Sequence, residues 1–163
     1  MEGVIRLRSG HACEMHPVLR GPLAGTLATI PMSLVMLVAG RLVGRQAPEA
    51  IVRSAVQAAT VEQASKPVAR LLSSLAHLWF GAGVGAGYVL LPRSGPPLLR
   101  GVGTALAVYL VSYQGWVPAL GILPPASRDR PGRVTVMVTA HLVFGAALAL
   151  VEDQLRRPLA QGR

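Results

Sequence analysis

Four histidines and one cysteine are the side chains here best suited to moving a proton or holding a metal near neutral pH. His77 and His141 each stand inside a long apolar run. Three chemistries suit such a pair. Each imidazole can donate a hydrogen bond to a carbonyl or hydroxyl, with Ser73 or Thr139 in reach, and so fix helix pairing. Together they can relay protons or ions, since histidine titrates near neutral pH. They can also ligate a metal or the iron of a haem b, although the apolar runs hold no carboxylate to support such ligands. His11, Cys13 and His16 lie close together near the N-terminus, but their spacing matches no zinc pattern and reads as a tail.

The surroundings of the two histidines repeat. Ala76-His77-Leu78-Trp79-Phe80-Gly81-Ala82 and Ala140-His141-Leu142-Val143-Phe144-Gly145-Ala146 agree at six of seven positions. Gly25-Thr26 and Gly103-Thr104 match more weakly. This pattern suggests a duplicated two-helix hairpin. On a helix, Gly81 and Gly85 share the face of His77, and Gly145 and Ala149 share that of His141. Gly21 and Gly25 form a similar small-residue face in the first run. Small residues every fourth position let backbones come close, so a contact of the second helix with the fourth is expected, with both histidines pointing inward.

The elements that carry these residues are membrane spans. Arg20 and Arg41 bracket about 20 uncharged residues, Arg70 and Arg93 about 22, Arg100 and Arg128 about 27, and Arg133 and Glu152 about 18. At 1.5 Å per residue each gap suffices to cross a bilayer core, whereas a soluble helix needs charge on its outer face every turn or two. The runs do not alternate as barrel strands do. The expected architecture is an all-α transmembrane four-helix bundle with spans at about 22–40, 69–91, 98–113 and 134–151. Residues 1–20 and 152–163 are expected to be tails, the first without the apolar core of a signal peptide. Residues 48–64, opening with Pro48 and Glu49, suggest an amphipathic helix lying in the interface. Pro31 is expected to kink the first span, with Thr29 and Ser33 near the freed carbonyl of Leu27. Residues 114–133, rich in Gly and Pro, read as an irregular connector, with Tyr113 and Trp116 at headgroup level.

Composition agrees. The chain is 52% hydrophobic and 14% charged, with mean hydropathy +0.47, too few charges to cover a soluble body of 163 residues. The net charge of +9 is gathered between the apolar runs, which suits anionic headgroups rather than nucleic acid. The basic residues divide evenly between the two ends of the spans, so they do not orient the chain. A single cysteine excludes an internal disulfide. There is no phosphate-binding loop, nucleophile elbow or dinucleotide fingerprint, and no enzyme activity is expected.

The proline-bearing Ala28-Thr29-Ile30-Pro31-Met32-Ser33, the intramembrane histidine followed by glycine, Gly115-Trp116-Val117-Pro118-Ala119-Leu120-Gly121 and Ala140-His141-Leu142-Val143-Phe144-Gly145 resemble the YagU-like group of small bacterial inner-membrane proteins. The resemblance covers residues 22–150 and implies a multi-pass inner-membrane protein, with a suggested link to acid tolerance and no established reaction, ligand or catalytic residue. The leading expectation is a non-enzymatic membrane protein acting as an accessory subunit or a helix-packing homo-oligomer, in contact with lipid. Proton, ion or small-solute handling at His77 and His141, and bis-histidine haem or metal binding, are the alternatives.

Overall fold

The computed structural model describes residues 15–43 and 66–157, and these are helical, with no strand. Among the described residues there are four long helices: α1 (Pro17–Val43), α2 (Lys66–Leu90), α3 (Pro97–Leu110) and α4 (Pro131–Arg156). The expected interfacial helix at 48–64 lies outside the described residues.

Prolines mark the helix starts. Pro17, Pro97 and Pro131 open α1, α3 and α4, where the missing N–H has no partner to lose and φ is already helical. The side chain of His16 accepts from the Val18 N–H at 3.4 Å and helps close the first turn of α1. α1 therefore starts before the expected boundary and takes in Arg20, while α4 runs past its own to take in Glu152. α1 continues through Pro22 and Pro31. The hydroxyl of Thr29 bonds the Gly25 carbonyl at 2.8 Å rather than that of Leu27, and Ser33 is exposed. The reason is that Thr29 faces α2, where the bond to its own preceding turn satisfies the buried hydroxyl.

The third helix is longer than expected. From Leu110 it passes directly into a π-helical turn, Val111–Trp116, and then one α-turn, Val117–Ala119. The irregular connector thus begins after Ala119, not at Gln114, and ends in a short 3-10 turn, Ala126–Arg128. Tyr113 does not sit at the surface. The wider π-turn turns it inward to 2% exposure, while Trp116 stays outside and donates to the Ser112 hydroxyl.

The close-packed pairs are α1 with α2, α1 with α4, and α3 with α4. This makes a row in the order α2–α1–α4–α3, each helix antiparallel to its neighbour. α2 and α3 touch lightly, beside the short turn that joins them. Glycine governs two of the three contacts. A Cβ on Gly21 would lie 2.7 Å from the Gly85 carbonyl oxygen, and one on Gly25 would fall on the Gly81 carbonyl. On the other side a Cβ on Gly145 would lie 2.6 Å from the Gly101 carbonyl oxygen and 2.9 Å from the Ala105 methyl. Ala24, Ala28, Met32, Phe144 and Leu148 fill the core between these pairs.

The outside is apolar as well. Trp79 is 79% exposed and Leu90 82%, and Leu34, Leu37, Leu71, Val111 and Leu150 also face outward. Two helices, over Pro17–Ala39 and Pro131–Arg156, are long and apolar enough to cross a membrane.

Because backbone cannot move aside as a side chain can, Gly25→Ala should destabilise the fold by about 1–3 kcal/mol. Gly103→Ala, where the added Cβ meets nothing within 4 Å, should be neutral or slightly stabilising. Thermal unfolding of the two variants in detergent checks the contrast.

Candidate functional site: a two-histidine cavity between polar clusters

A cavity of about 230 Å³ lies where α2 and α3 diverge. Ser73, His77 and Phe80 of α2 line one wall, and Tyr109 of α3 with Ser112 and Tyr113 of the following π-turn the other. Met32 and Met36 of α1 and Met137, His141 and Phe144 of α4 close the back. Among the described residues no Asp, Glu, Lys or Arg reaches it.

The two histidines face one space but not across a helix contact. α2 and α4 are not a packed pair, because α1 lies between them in the row. The expected contact of the second helix with the fourth is therefore replaced by two others. Gly81 and Gly85 pack on Gly21 and Gly25 of α1, and Gly145 and Ala149 pack on α3. On α3 the glycine in contact is Gly101, two positions before the Gly103 that aligns with Gly25 in sequence.

Each imidazole keeps a nitrogen available. His141 is buried, and its Nδ1 lies 2.7 Å from the Met137 carbonyl oxygen, which can only accept. Nδ1 therefore carries the proton, and in the neutral ring Nε2 is the acceptor. This bond stays within α4, one turn back, rather than reaching Thr139 or a neighbouring helix. Tyr109 packs edge-on against the His141 ring with centroids 5.3 Å apart. His77 Nε2 is buried and has no hydrogen-bond partner among the described residues. Such a nitrogen in an apolar wall calls for a hydrogen-bond partner in the cavity, a donor or an acceptor according to the tautomer. Among the described residues no three His, Cys, Asp or Glu side chains converge as a metal site. His16 is exposed at the start of α1; His11 and Cys13 lie outside the described residues.

Two charged clusters flank the cavity at opposite ends of the helices; of their members, Arg20, Arg100, Arg133 and Glu152 bound apolar runs in the sequence. At the connector end Tyr113 donates its hydroxyl proton to Asp129, and Tyr109 stacks edge-on against Tyr113 at 5.6 Å. Asp129 also accepts from the Arg130 backbone N–H at 2.7 Å and from Arg133 at 3.0 and 3.1 Å. Burial alone would raise the Asp129 carboxyl. The bonds from Tyr113, Arg130 and Arg133 and the Arg133 charge outweigh it and hold the group below the usual carboxylate range.

At the opposite end Arg20 (2% exposed) and Glu152 (3% exposed) form an ion pair of 3.2 Å between α1 and α4. Arg100 of α3 lies 3.9 Å from the same carboxylate, and its guanidinium sits 4.4 Å over the ring of Tyr88. A signal did exist in the sequence: Arg20, Arg100 and Glu152 each fall about one turn inside a helix end, where a charge must bury or find a partner.

No protein-family model, no curated protein and no solved structure matches this chain.

Two outcomes follow from the charged clusters. Asp129 titrates lower in the folded protein, so its contribution is complete above the unfolded carboxylate value and is lost as pH falls through the folded one. Wild-type melting temperature should therefore drop on acidification below about pH 4, and Asp129→Asn should flatten that part of the curve. Glu152→Gln leaves two guanidiniums without their carboxylate and should cost about 3–5 kcal/mol in the same melts.

Proposed function

We propose that the chain is a multi-pass α-helical protein of a bacterial inner membrane that handles protons, or a small solute together with protons, in the cavity shared by His77 and His141. The observation that carries this reading is that cavity. It holds two imidazoles, one with a buried nitrogen lacking a partner among the described residues and one with its tautomer set by a backbone carbonyl. An imidazole held by one nitrogen can take a proton on the other and release it again. Intramembrane ionisable groups commonly mark such pathways.

The membrane placement rests on the outward side chains. A water-facing helix is expected to be polar on its outer side, yet here leucines, valines and tryptophan stand there over all four helices. In this reading α2 and α3 also cross, giving a transmembrane four-helix bundle of two related hairpins. The shared device of the hairpins supports their relationship: Gly25 against Gly81 in one, Gly101 against Gly145 in the other. The YagU-like resemblance rests on the residues alone, and its suggested link to acid tolerance suits a proton-handling role.

This order of preference differs from the one sequence suggests. Association with a partner was inferred from small-residue faces, and those faces are occupied by the chain's own helices. Two histidines remain as a minimal ligand pair for haem or a metal, but the partnerless nitrogen is satisfied equally by a proton or a water-borne donor.

Proteoliposomes loaded with a pH-sensitive dye test the proposal. After an imposed pH step, wild-type protein should equilibrate the lumen roughly tenfold or more faster than His77→Ala/His141→Ala. Circular dichroism should show unchanged helix content. Equal rates with a folded double variant reject the relay.

A further inference from the structure

The walls of the cavity between α2 and α3 select the chemistry of a guest. A dry apolar cavity of about 150 Å³ takes up benzene, so the volume of about 230 Å³ found here holds one six-membered ring with a substituent. The lining suits an aromatic ring. Phe80, Tyr109 and Phe144 offer faces and edges, and Met32, Met36 and Met137 offer thioethers, which pack well on aromatic edges. Among the described residues no Asp, Glu, Lys or Arg lines the space, so an ionised guest would enter without an opposite charge to meet it.

One polar contact is fixed in advance. Nδ1 of His141 gives its proton to the Met137 carbonyl oxygen at 2.7 Å, so the Nε2 of the neutral ring is an acceptor. The guest must therefore bring a donor. A hydroxyl brings one, and its oxygen keeps lone pairs for the second polar point of the wall, His77, whose Nε2 is buried without a partner among the described residues. A phenolic hydroxyl titrates at about 10, as in tyrosine, and so still holds that proton at neutral pH.

The mouth faces sideways. Phe80 of α2 and Trp116 of the π-turn both line the cavity and stand exposed, so the opening lies between the diverging helices rather than at their charged ends. In a bilayer-spanning arrangement it meets lipid, into which a neutral aromatic ring partitions from water.

On the reading that this cavity is the working site, we propose that it binds a phenol, a single aromatic ring whose hydroxyl donates to His141 Nε2. Such a molecule is a small solute that arrives with its own proton. Two sources share this chemistry: a water-borne phenol and the ring of a lipid-borne quinol.

The test uses the full chain in a neutral detergent, followed by fluorine NMR against empty micelles. The probes are para-fluorophenol and para-fluoroanisole, the second having the same ring with its donor replaced by a methyl ether. Wild type should bind the phenol saturably and about tenfold more tightly than the ether, because the ether leaves the His141 acceptor unmet. His141→Phe keeps a ring in the wall and should lose about that tenfold preference, with helix content unchanged by circular dichroism. Cyclohexanol has the hydroxyl without the aromatic ring and should displace the probe about fivefold less well than phenol does. A quinol bearing one isoprenoid unit that displaces the probe about tenfold better than phenol keeps the site and names lipid as its source. Equal displacement by the two keeps the site and names a soluble phenol. Equal affinity of the wild type for phenol and ether, or no saturable binding beyond that of empty micelles, overturns the proposal without any variant. So does equal displacement by cyclohexanol and phenol, or a folded His141→Phe protein that still prefers the phenol. None of these arms reads proton flux. Failure of the phenol leaves the proteoliposome rates to judge the relay, and failure of the relay leaves the binding site standing.

Discussion

The fold depends on two places where backbone meets backbone. Where Gly25 faces Gly81 and Gly101 faces Gly145, a single methyl group would strike a carbonyl. Such contacts gain dispersion and lose no side-chain freedom, which matters most where the surroundings are as apolar as the interface. They draw α2 against α1 and α3 against α4. α1 and α4 then pack through Ala24, Ala28, Phe144 and Leu148, and the four helices form a row. The helices at the two ends of that row, α2 and α3, meet at their connecting turn and separate beyond it. The cavity is the space left by that separation.

The two ends of the helices are tied differently. At the turn end, one carboxylate on α4 holds guanidiniums from α1 and α3, so three helices meet on Glu152. At the connector end, one carboxylate in the loop holds α3 through Tyr113 and α4 through Arg133. Buried ion pairs gain little over a well-packed apolar contact, because desolvation offsets most of the attraction. Removing one partner is another matter, since the remaining charge has no water to replace it. These clusters therefore act as constraints on which helix ends sit together more than as sources of stability.

Much of this was legible in the sequence, and the failures have physical causes. Spacing of four placed Gly81 and Gly85 on the face of His77, and Gly145 and Ala149 on that of His141. Spacing cannot name the helix on the other side, because any second small-residue face fits, and the partners proved to be α1 and α3. Gly115 and Pro118 read as turn residues, but a π-turn accepts glycine and Pro118 falls at the start of the next helical turn. Tyr113 resembles an interfacial aromatic until its acceptor, sixteen residues away in Asp129, is brought beside it. Arg20, Arg100 and Glu152 read as charges bounding apolar runs, but nothing in their spacing pairs residues so far apart.

The histidine cavity and the Asp129 cluster are joined by aromatic rings rather than by a gap. His141 packs on Tyr109, Tyr109 packs on Tyr113, and Tyr113 is both a wall of the cavity and a donor to Asp129. Edge-on packing of this kind fixes ring positions, because each ring offers its positive edge to the negative face of the next. Tyr113 cannot turn away from the cavity without giving up its bond to the carboxylate. A protonated Asp129 is a poorer acceptor for that hydroxyl and no longer pairs with the Arg133 charge. Acid at the surface therefore loosens the wall that stands beside the histidines. The charge on one loop carboxylate and the packing of the cavity wall are then linked through three rings.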